Sequence, residues 1–248
     1  MSKSLDVVIP VLNEERILAD SARTVADFLS ENLDDYDWAI VIADNGSTDA
    51  TLSICQTLSE QDSRVRFIRL EQRGRGRALK QAWTESDADI VAYMDVDLST
   101  DLSVLPTAIA AVAAEGYDVA IGSRLKRGAN VIGRSFKREF ISRSYSLMFR
   151  TMFLAGFQDA QCGFKAVSRR AANDVVPLVV DNGWFFDTEM LLIAAKNGYR
   201  IKEIPVKWTD DPDSRVRIVS TAWEDIKGLL RLRFGGLRRA GRAIARNR

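Results

Sequence analysis

The chain has 248 residues, 46% hydrophobic and 28% charged, with a net charge of +1; that is enough apolar material for a full α/β core and too much for a disordered chain. It has no histidine, which removes the commonest general base and the commonest zinc ligand, and its two cysteines, Cys55 and Cys162, form neither a disulfide framework nor a metal-spaced pair. No run of eighteen apolar residues occurs, so no membrane-spanning helix is expected, and the N-terminus enters a strand pattern without the features of a signal peptide.

Leu5–Val11 reads as a strand that ends at Pro10 and the helix start Asn13-Glu14-Glu15, and a helix is expected from Ile17 to Leu33. Trp38–Ala43 is the next strand, followed by the turn Asp44-Asn45-Gly46-Ser47-Thr48-Asp49, which ends in a helix cap. Thr51–Ser59 reads as helix, Val65–Leu70 as strand, Arg77–Thr84 as helix and Asp89–Met94 as strand. A helix over Leu102–Glu115 and a strand over Val119–Gly122 complete the series. This alternation over the first ~125 residues predicts a mostly parallel, twisted sheet flanked by helices.

The second half changes character. From Arg134 to Leu154, Phe136, Phe140, Ile141, Tyr145, Met148, Phe149 and Met152 recur at helical spacing among arginines and lysines, and residues 217–234 repeat the style. Such stripes are core faces or membrane-interface faces. Seven arginines and no acid lie between Arg231 and Arg248, so a chain of net +1 carries −6 before them. The expected organisation is one domain over 1–230 and a basic, flexible or membrane-surface tail over 231–248.

The triplet Asp95-Val96-Asp97 closes the apolar run Ile90-Val91-Ala92-Tyr93-Met94. Residues two apart on an extended chain point to the same side, so both carboxylates can face one spot. In an open α/β sheet, the carboxyl ends of the strands are where ligands bind. The triplet therefore reads either as a divalent-metal and diphosphate site or as an acidic loop capping the next helix. The strand ends around Pro10 and Asp44 read as ligand-facing loops or as ordinary capped turns. No G-x-G-x-x-G follows the first strand, which excludes a dehydrogenase fingerprint, and Gly74-Arg75-Gly76-Arg77 is a basic turn that could approach phosphate.

In order, Val-Ile-Pro-Val-Leu-Asn-Glu-Glu (8–15), Ala-Asp-Asn-Gly-Ser-Thr-Asp (43–49), Gly-Arg-Gly-Arg-Ala-Leu (74–79) and Met-Asp-Val-Asp-Leu (94–98) resemble family 2 glycosyltransferases with the A-type fold. Ile-Gly-Ser-Arg (121–124), Asp-Ala-Gln-Cys-Gly-Phe-Lys (159–165), Trp-Phe-Phe-Asp-Thr-Glu (184–189) and Ile-Pro-Val-Lys-Trp (204–208) narrow the likeness to polyprenyl-phosphate glycosyltransferases, and within them to the dolichyl-phosphate β-glucosyltransferase branch. The resemblance implies that Pro10, Asn13, Glu15, Asp44 and Asp49 line a nucleoside pocket, with Arg77 in the basic turn beside it. It implies that Asp95 and Asp97 hold Mg²⁺ or Mn²⁺, that Arg124, Arg138 and Arg143 grip phosphate, and that Arg215 closes over the donor. Ser99 stands where mannosyl relatives often carry Gln.

The expected substrates are a nucleotide-sugar donor, UDP-hexose before GDP-mannose, and a polyprenyl phosphate acceptor, met at the cytoplasmic face of a membrane. The membrane surface, and a separate membrane-anchor protein, are the expected partners; nucleic acid is not. A polyprenyl phosphate, with its second pKa near ~6, is already a dianionic nucleophile at neutral pH and needs no general base. The alternatives are an enzyme that glycosylates a sugar hydroxyl, with Asp187 or Glu189 as base, and a non-catalytic nucleotide-sugar-binding scaffold.

Overall fold

In a computed structural model, the structure describes residues 2–210 and 218–247. Its frame is a seven-stranded sheet. β1 (Ser4–Val11) pairs in parallel with β2 (Asp37–Asp44) on one side and β4 (Ile90–Met94) on the other, and β3 (Val65–Arg69) continues beyond β2. β7 (Phe164–Ser168) then inserts antiparallel between β4 and β5 (Val119–Ser123), and β8 (Ile201–Pro205) closes the far edge parallel to β5. The order β3-β2-β1-β4-β7-β5-β8 places a switch point between β1 and β4, where successive crossovers leave in opposite directions. At such a point the strand-end loops diverge and open a crevice.

The strands read as nearly unbroken apolar runs because both sheet faces are covered. Val7 and Ile9 face one side, together with Leu18, Val25 and Leu29 of α1 (Leu18–Asn32), Cys55 and Leu58 of α2 (Thr51–Gln61), and Leu105 and Ile109 of α4 (Leu105–Ala113). Val8, Val41 and Tyr93 face the other. There they meet Leu79 and Trp83 of α3 (Arg75–Glu85), Phe149 and Phe153 of α5 (Phe136–Phe153), Val175 of α6 (Arg169–Val175) and Leu191 of α7 (Phe186–Lys196). A short parallel ribbon of β6 (Asn130–Ile132) and β9 (Lys207–Thr209) lies apart from the main sheet.

The C-terminal chain forms α8 (Ile218–Arg231) and α9 (Leu237–Asn247), separated by a kink at Phe234 and Gly235. Residues 231–248 had the composition of a tail, yet Leu232, Ala240 and Ile244 are buried in the second core cluster. Arg233, Arg238, Arg239, Arg242 and Arg246 are exposed. Both cysteines are free and buried, and burial pushes each thiol up to about 12, so neither is a thiolate nucleophile near neutral pH. Among the described residues, no helix is long and apolar enough to cross a membrane.

Candidate active site

The loops after β1, β2 and β4 line one side of a cavity of about 1470 Å³. Two of these loops are cross-stitched. Asn13 takes a positive φ of 57°, which Asn tolerates better than most residues. Its Oδ1 accepts from the Thr48 amide at 2.8 Å, and its own amide donates to Ser47 Oγ at 2.9 Å. Glu15 Oε2 accepts from the Ala50 amide at 2.9 Å, while the Glu15 amide donates to Asp49 Oδ2 at 3.3 Å. Pro10, Asn13, Glu15 and Asp49 all reach the cavity wall. Asp44 stands behind it: the carboxylate is fully buried, accepting from the Ser47 amide at 2.9 Å and from Arg69 at 3.3 Å. The structure thus gives Asp44 the work of fixing the turn.

Asp95 and Asp97 both open onto the cavity at the end of β4. Asp97 Oδ1 accepts from the Ser99 amide at 3.0 Å, and Ser99 also lines the cavity. The Asp95 amide donates to Gly163 O at 3.2 Å. A Cβ on Gly163 would fall 1.6 Å from Asp95 Oδ2, so the carboxylate occupies the space that any other residue would need. That close approach is why Gly stands in Gln-Cys-Gly-Phe-Lys.

Arg75 is the residue that sequence reasoning missed. Arg77, chosen instead, lies off the cavity wall, and its amide donates to Asn182 O. Arg75 sits in the first turn of α3 and donates to Asp95 Oδ1 at 2.9 Å and to Asp187 Oδ2 at 2.7 Å. Its guanidinium lies 5.0 Å from the ring centres of both Tyr93 and Trp184. Asp187 also accepts from Tyr93 Oη at 2.7 Å and pairs with Lys165 at 3.0 Å, and Lys165 is fully buried. Burial alone would raise the Asp187 carboxyl; Lys165, Arg75 and the Tyr93 hydroxyl override it and hold it below the usual range. A buried cation is tolerable when paired and hydrogen-bonded.

Arg124, which lines the same cavity, belongs to a second fixed pair. Arg124 grips Asp159 through Nε at 2.8 Å, Nη2 at 2.9 Å and its amide at 3.0 Å, with the guanidinium 4.8 Å from the Trp208 ring centre. Against burial, which raises it, this clamp holds the Asp159 carboxyl at about 2. Arg138 donates to Asp210 Oδ2 at 2.6 Å and lines the same cavity as Arg124. Arg143 does not join them; it is exposed and pairs with Glu139 along α5. Arg215 lies outside the described residues. The same cavity is also lined by Phe140, Ile141, Tyr145 and Met148 of α5 and Ile226 of α8.

Neither Asp187 nor Glu189 reaches the cavity wall, so the structure does not offer them as bases to an acceptor hydroxyl. Glu189 accepts both Nη atoms of Arg231, at 2.9 and 2.7 Å, and the Asp181 amide at 2.9 Å.

A mixed sheet covered by helices, with a ligand-sized crevice and an Asp-x-Asp at its switch point, has the architecture of A-type glycosyltransferases. Residues 6–176 match the family described as Glycosyl transferase family 2, and the chain belongs to it. Glycosyltransferase AglD of Haloferax volcanii is 36% identical over 226 residues, which are 91% of this chain but 35% of that protein. The dolichyl-phosphate beta-glucosyltransferases of Dictyostelium discoideum and Saccharomyces cerevisiae are each 29% identical, over 93% and 94% of this chain and 74% and 75% of theirs. Glucosyl-3-phosphoglycerate synthase from Mycobacterium tuberculosis, solved with UDP, superposes with a TM-score of 0.70 at 20% identity, over 93% of this chain and 80% of that one. The same enzyme was also solved with Mn²⁺, UDP-glucose and phosphoglyceric acid, at a TM-score of 0.68 and 18% identity, over 93% of this chain and 80% of that one.

Proposed function

We propose that this chain transfers a hexose, glucose before mannose, from a nucleotide-sugar to a polyprenyl phosphate with inversion at the anomeric carbon. One observation carries the reading. A single cavity is lined by the stitched loops and the Asp95/Asp97 edge, by Arg124 and Arg138, and by apolar side chains of α5 and α8 that include Phe140, Ile141, Met148 and Ile226. A nucleotide diphosphate needs the first part, two anions that must approach each other need the second, and an isoprenoid chain needs the third. The names of the similar dolichyl-phosphate enzymes point the same way.

The donor set at the sheet edge fits a divalent cation. Mg²⁺ commonly takes one or two carboxylates and completes its shell with substrate phosphate and water, so the Asp95/Asp97 pair needs no third protein ligand; among the described residues no larger cluster exists. Mg²⁺ or Mn²⁺ held there would supply charge neutralisation for the departing diphosphate. Arg75 holds Asp95 Oδ1 at 2.9 Å and so fixes the carboxylate at the sheet edge. Arg138 and the clamped Arg124, both lining the cavity, bring the positive charge that lets a phosphate dianion come close to a second anion. Back-side attack by a phosphate oxygen on an α-linked donor gives the β-linked lipid-phosphate sugar, and the acceptor's charge makes a base unnecessary. The enzyme would work peripherally at the cytoplasmic face of a membrane, with a separate membrane-anchor protein as partner.

The test is a panel of labelled UDP- and GDP-hexoses offered with polyprenyl phosphate and with sugar acceptors. We expect transfer to the lipid phosphate from UDP-glucose, lost in excess EDTA and in Asp97→Ala with an unchanged melting curve. Transfer to sugar hydroxyls alone, or full activity in EDTA, would sink the reading.

A further inference from the structure

Asp225 of α8 is a buried carboxylate that the transfer described above does not use, yet it lines the cavity. Its Oδ2 accepts from Gln161 Nε2 at 2.8 Å. Its Oδ1 is buried with no hydrogen-bond partner among the described residues. A buried carboxylate oxygen left without a donor is costly, and because Asp225 lines the cavity, a ligand that enters there with a donor relieves that cost. Burial pushes the Asp225 carboxyl up to about 6, against the Gln161 hydrogen bond, which lowers it.

The position of this oxygen selects among ligand donors. Gln161 is two residues from Gly163, whose Cα abuts the Asp95 carboxylate, and two residues of chain span at most ~7 Å. The Gln161 amide also donates to Asp159 Oδ1 at 3.2 Å, so the Arg124 clamp fixes this loop. Asp225 is thus tied through Gln161 to the loop that sets Gly163 against Asp95, and all three of Asp225, Gln161 and Asp95 line the same cavity. The phosphates bring no donor and would be repelled by a carboxylate. The isoprenoid chain brings none either. Base and ribose belong at the loops after β1 and β2. The hydroxyls of the transferred hexose are the donors that remain.

We propose that Asp225, oriented by Gln161, accepts a hydrogen bond from a ring hydroxyl of the transferred hexose and is a specificity-determining residue for the donor sugar. This rests on the nucleotide-sugar reading above but not on the identity of the acceptor. When the hydroxyl docks, Oδ1 gains its missing partner, and a sugar that cannot present a hydroxyl there leaves the oxygen unpaired. A site built this way rejects the deoxy analogue strongly.

The test measures donor binding without acceptor. With Mg²⁺ present, the full chain and its Asp225→Ala variant are titrated with UDP, UDP-glucose and the set of UDP-monodeoxyglucoses, or with the GDP-mannose series if that is the donor. Both proteins should bind the free nucleotide within about twofold. The variant should lose about 10- to 100-fold in affinity for the intact donor, the range for a hydrogen bond to a charged group. One deoxy donor should bind wild type and variant equally, while the others still distinguish them. Gln161→Leu, which leaves the carboxylate in place but unheld, provides a second route and should weaken the same discrimination. Equal weakening of nucleotide and nucleotide-sugar, or an unchanged ranking of all deoxy donors, would overturn the proposal. A wild-type chain that binds free nucleotide but gains nothing from any attached hexose would overturn the donor reading itself, a result distinct from both.

Discussion

Asp95 has its geometry set by two neighbours, one that pulls and one that yields space. Arg75 holds Oδ1, and the missing side chain of Gly163 accommodates Oδ2. Gly163→Ala would place a methyl group inside that carboxylate, so either the loop or Asp95 must move. A displacement of about 1 Å at a reacting centre can cost on the order of 100-fold in rate. We predict at least that loss in transfer; near-normal turnover in a folded Gly163→Ala protein would show that Asp95 does not need this position. Asp225 makes the opposite kind of prediction, in stability. Gln161 faces it as a donor, and Asp181 and Tyr145 are the titratable groups in its surroundings. Its folded value of about 6 lies above its ordinary 3.8. Below that lower value it is protonated whether folded or not, and no penalty exists; above about 6 it is ionised at a cost. Asp225→Asn should therefore raise stability by on the order of 1–3 kcal/mol at pH 7.5, with the gain fading toward pH 4. Thermal melts across that range check it, and a gain independent of pH would refute it. At this scale, motif order revealed the carboxylates but not their partners. Gly74-Arg75-Gly76-Arg77 offers two equivalent arginines, and only the direction of the α3 N-terminus decides that Arg75 reaches Asp95. Asp225 could not be read at all, because its meaning depends on Gln161, 64 residues away.

α8 lends Thr221, Ala222, Asp225 and Ile226 to the cavity wall and is docked by two contacts of different kinds. Gly228 lets the helix lie against the Phe185 ring, where an added Cβ would come within 2.3 Å. Arg231 makes a two-pronged pair with Glu189, which is almost fully buried. Removing one partner of such a pair leaves a buried charge and costs about 3–5 kcal/mol, whereas removing both costs far less. Arg231 keeps some contact with solvent, so we place Arg231→Leu nearer 2–3 kcal/mol and expect Arg231→Leu with Glu189→Leu to recover most of it. Urea unfolding of the two single variants and the double variant measures this, and purely additive losses would remove the pair as the reason α8 docks. Elements of the first half were legible because each strand and helix there carries its own period. The antiparallel insertion of β7 between β4 and β5 was not, since register across the sheet is a long-range property. The break at Phe234 and Gly235, with Gly235 at φ 139°, likewise separates two helices that read as one stripe and a tail.

Across the whole molecule, the apolar wall of the cavity continues onto an exposed surface. Phe136, Phe140 and Leu147 recur on α5 at spacings of four and seven, so they form one stripe, and all three are exposed while Phe149 and Phe153 face the core. Phe140 belongs to both surfaces: it lines the cavity and stands in the stripe. Exposed Trp223 and Phe234 add large apolar side chains from the C-terminal part of the chain, which also carries most of the basic excess. A lipid phosphate whose headgroup reached Arg124 and Arg138 could leave its chain along this path into a bilayer without crossing water. Aromatic side chains among arginines suit insertion at the headgroup level of an anionic membrane. We therefore predict that the chain floats with vesicles containing phosphatidylglycerol and less with neutral ones, the difference shrinking as salt screens the arginines. Phe136→Ser with Leu147→Ser, neither of which lines the cavity, should lower the partition coefficient at least tenfold, since each loses apolar area worth about 1.5–3 kcal/mol on full burial. Transfer to a short, water-soluble polyprenyl phosphate should survive in that variant, while transfer to vesicle-embedded acceptor falls with binding. Loss of both activities together would place these side chains in the folded core's support rather than at a membrane, and a wild-type chain that stays with the unbound fraction would end the interfacial reading.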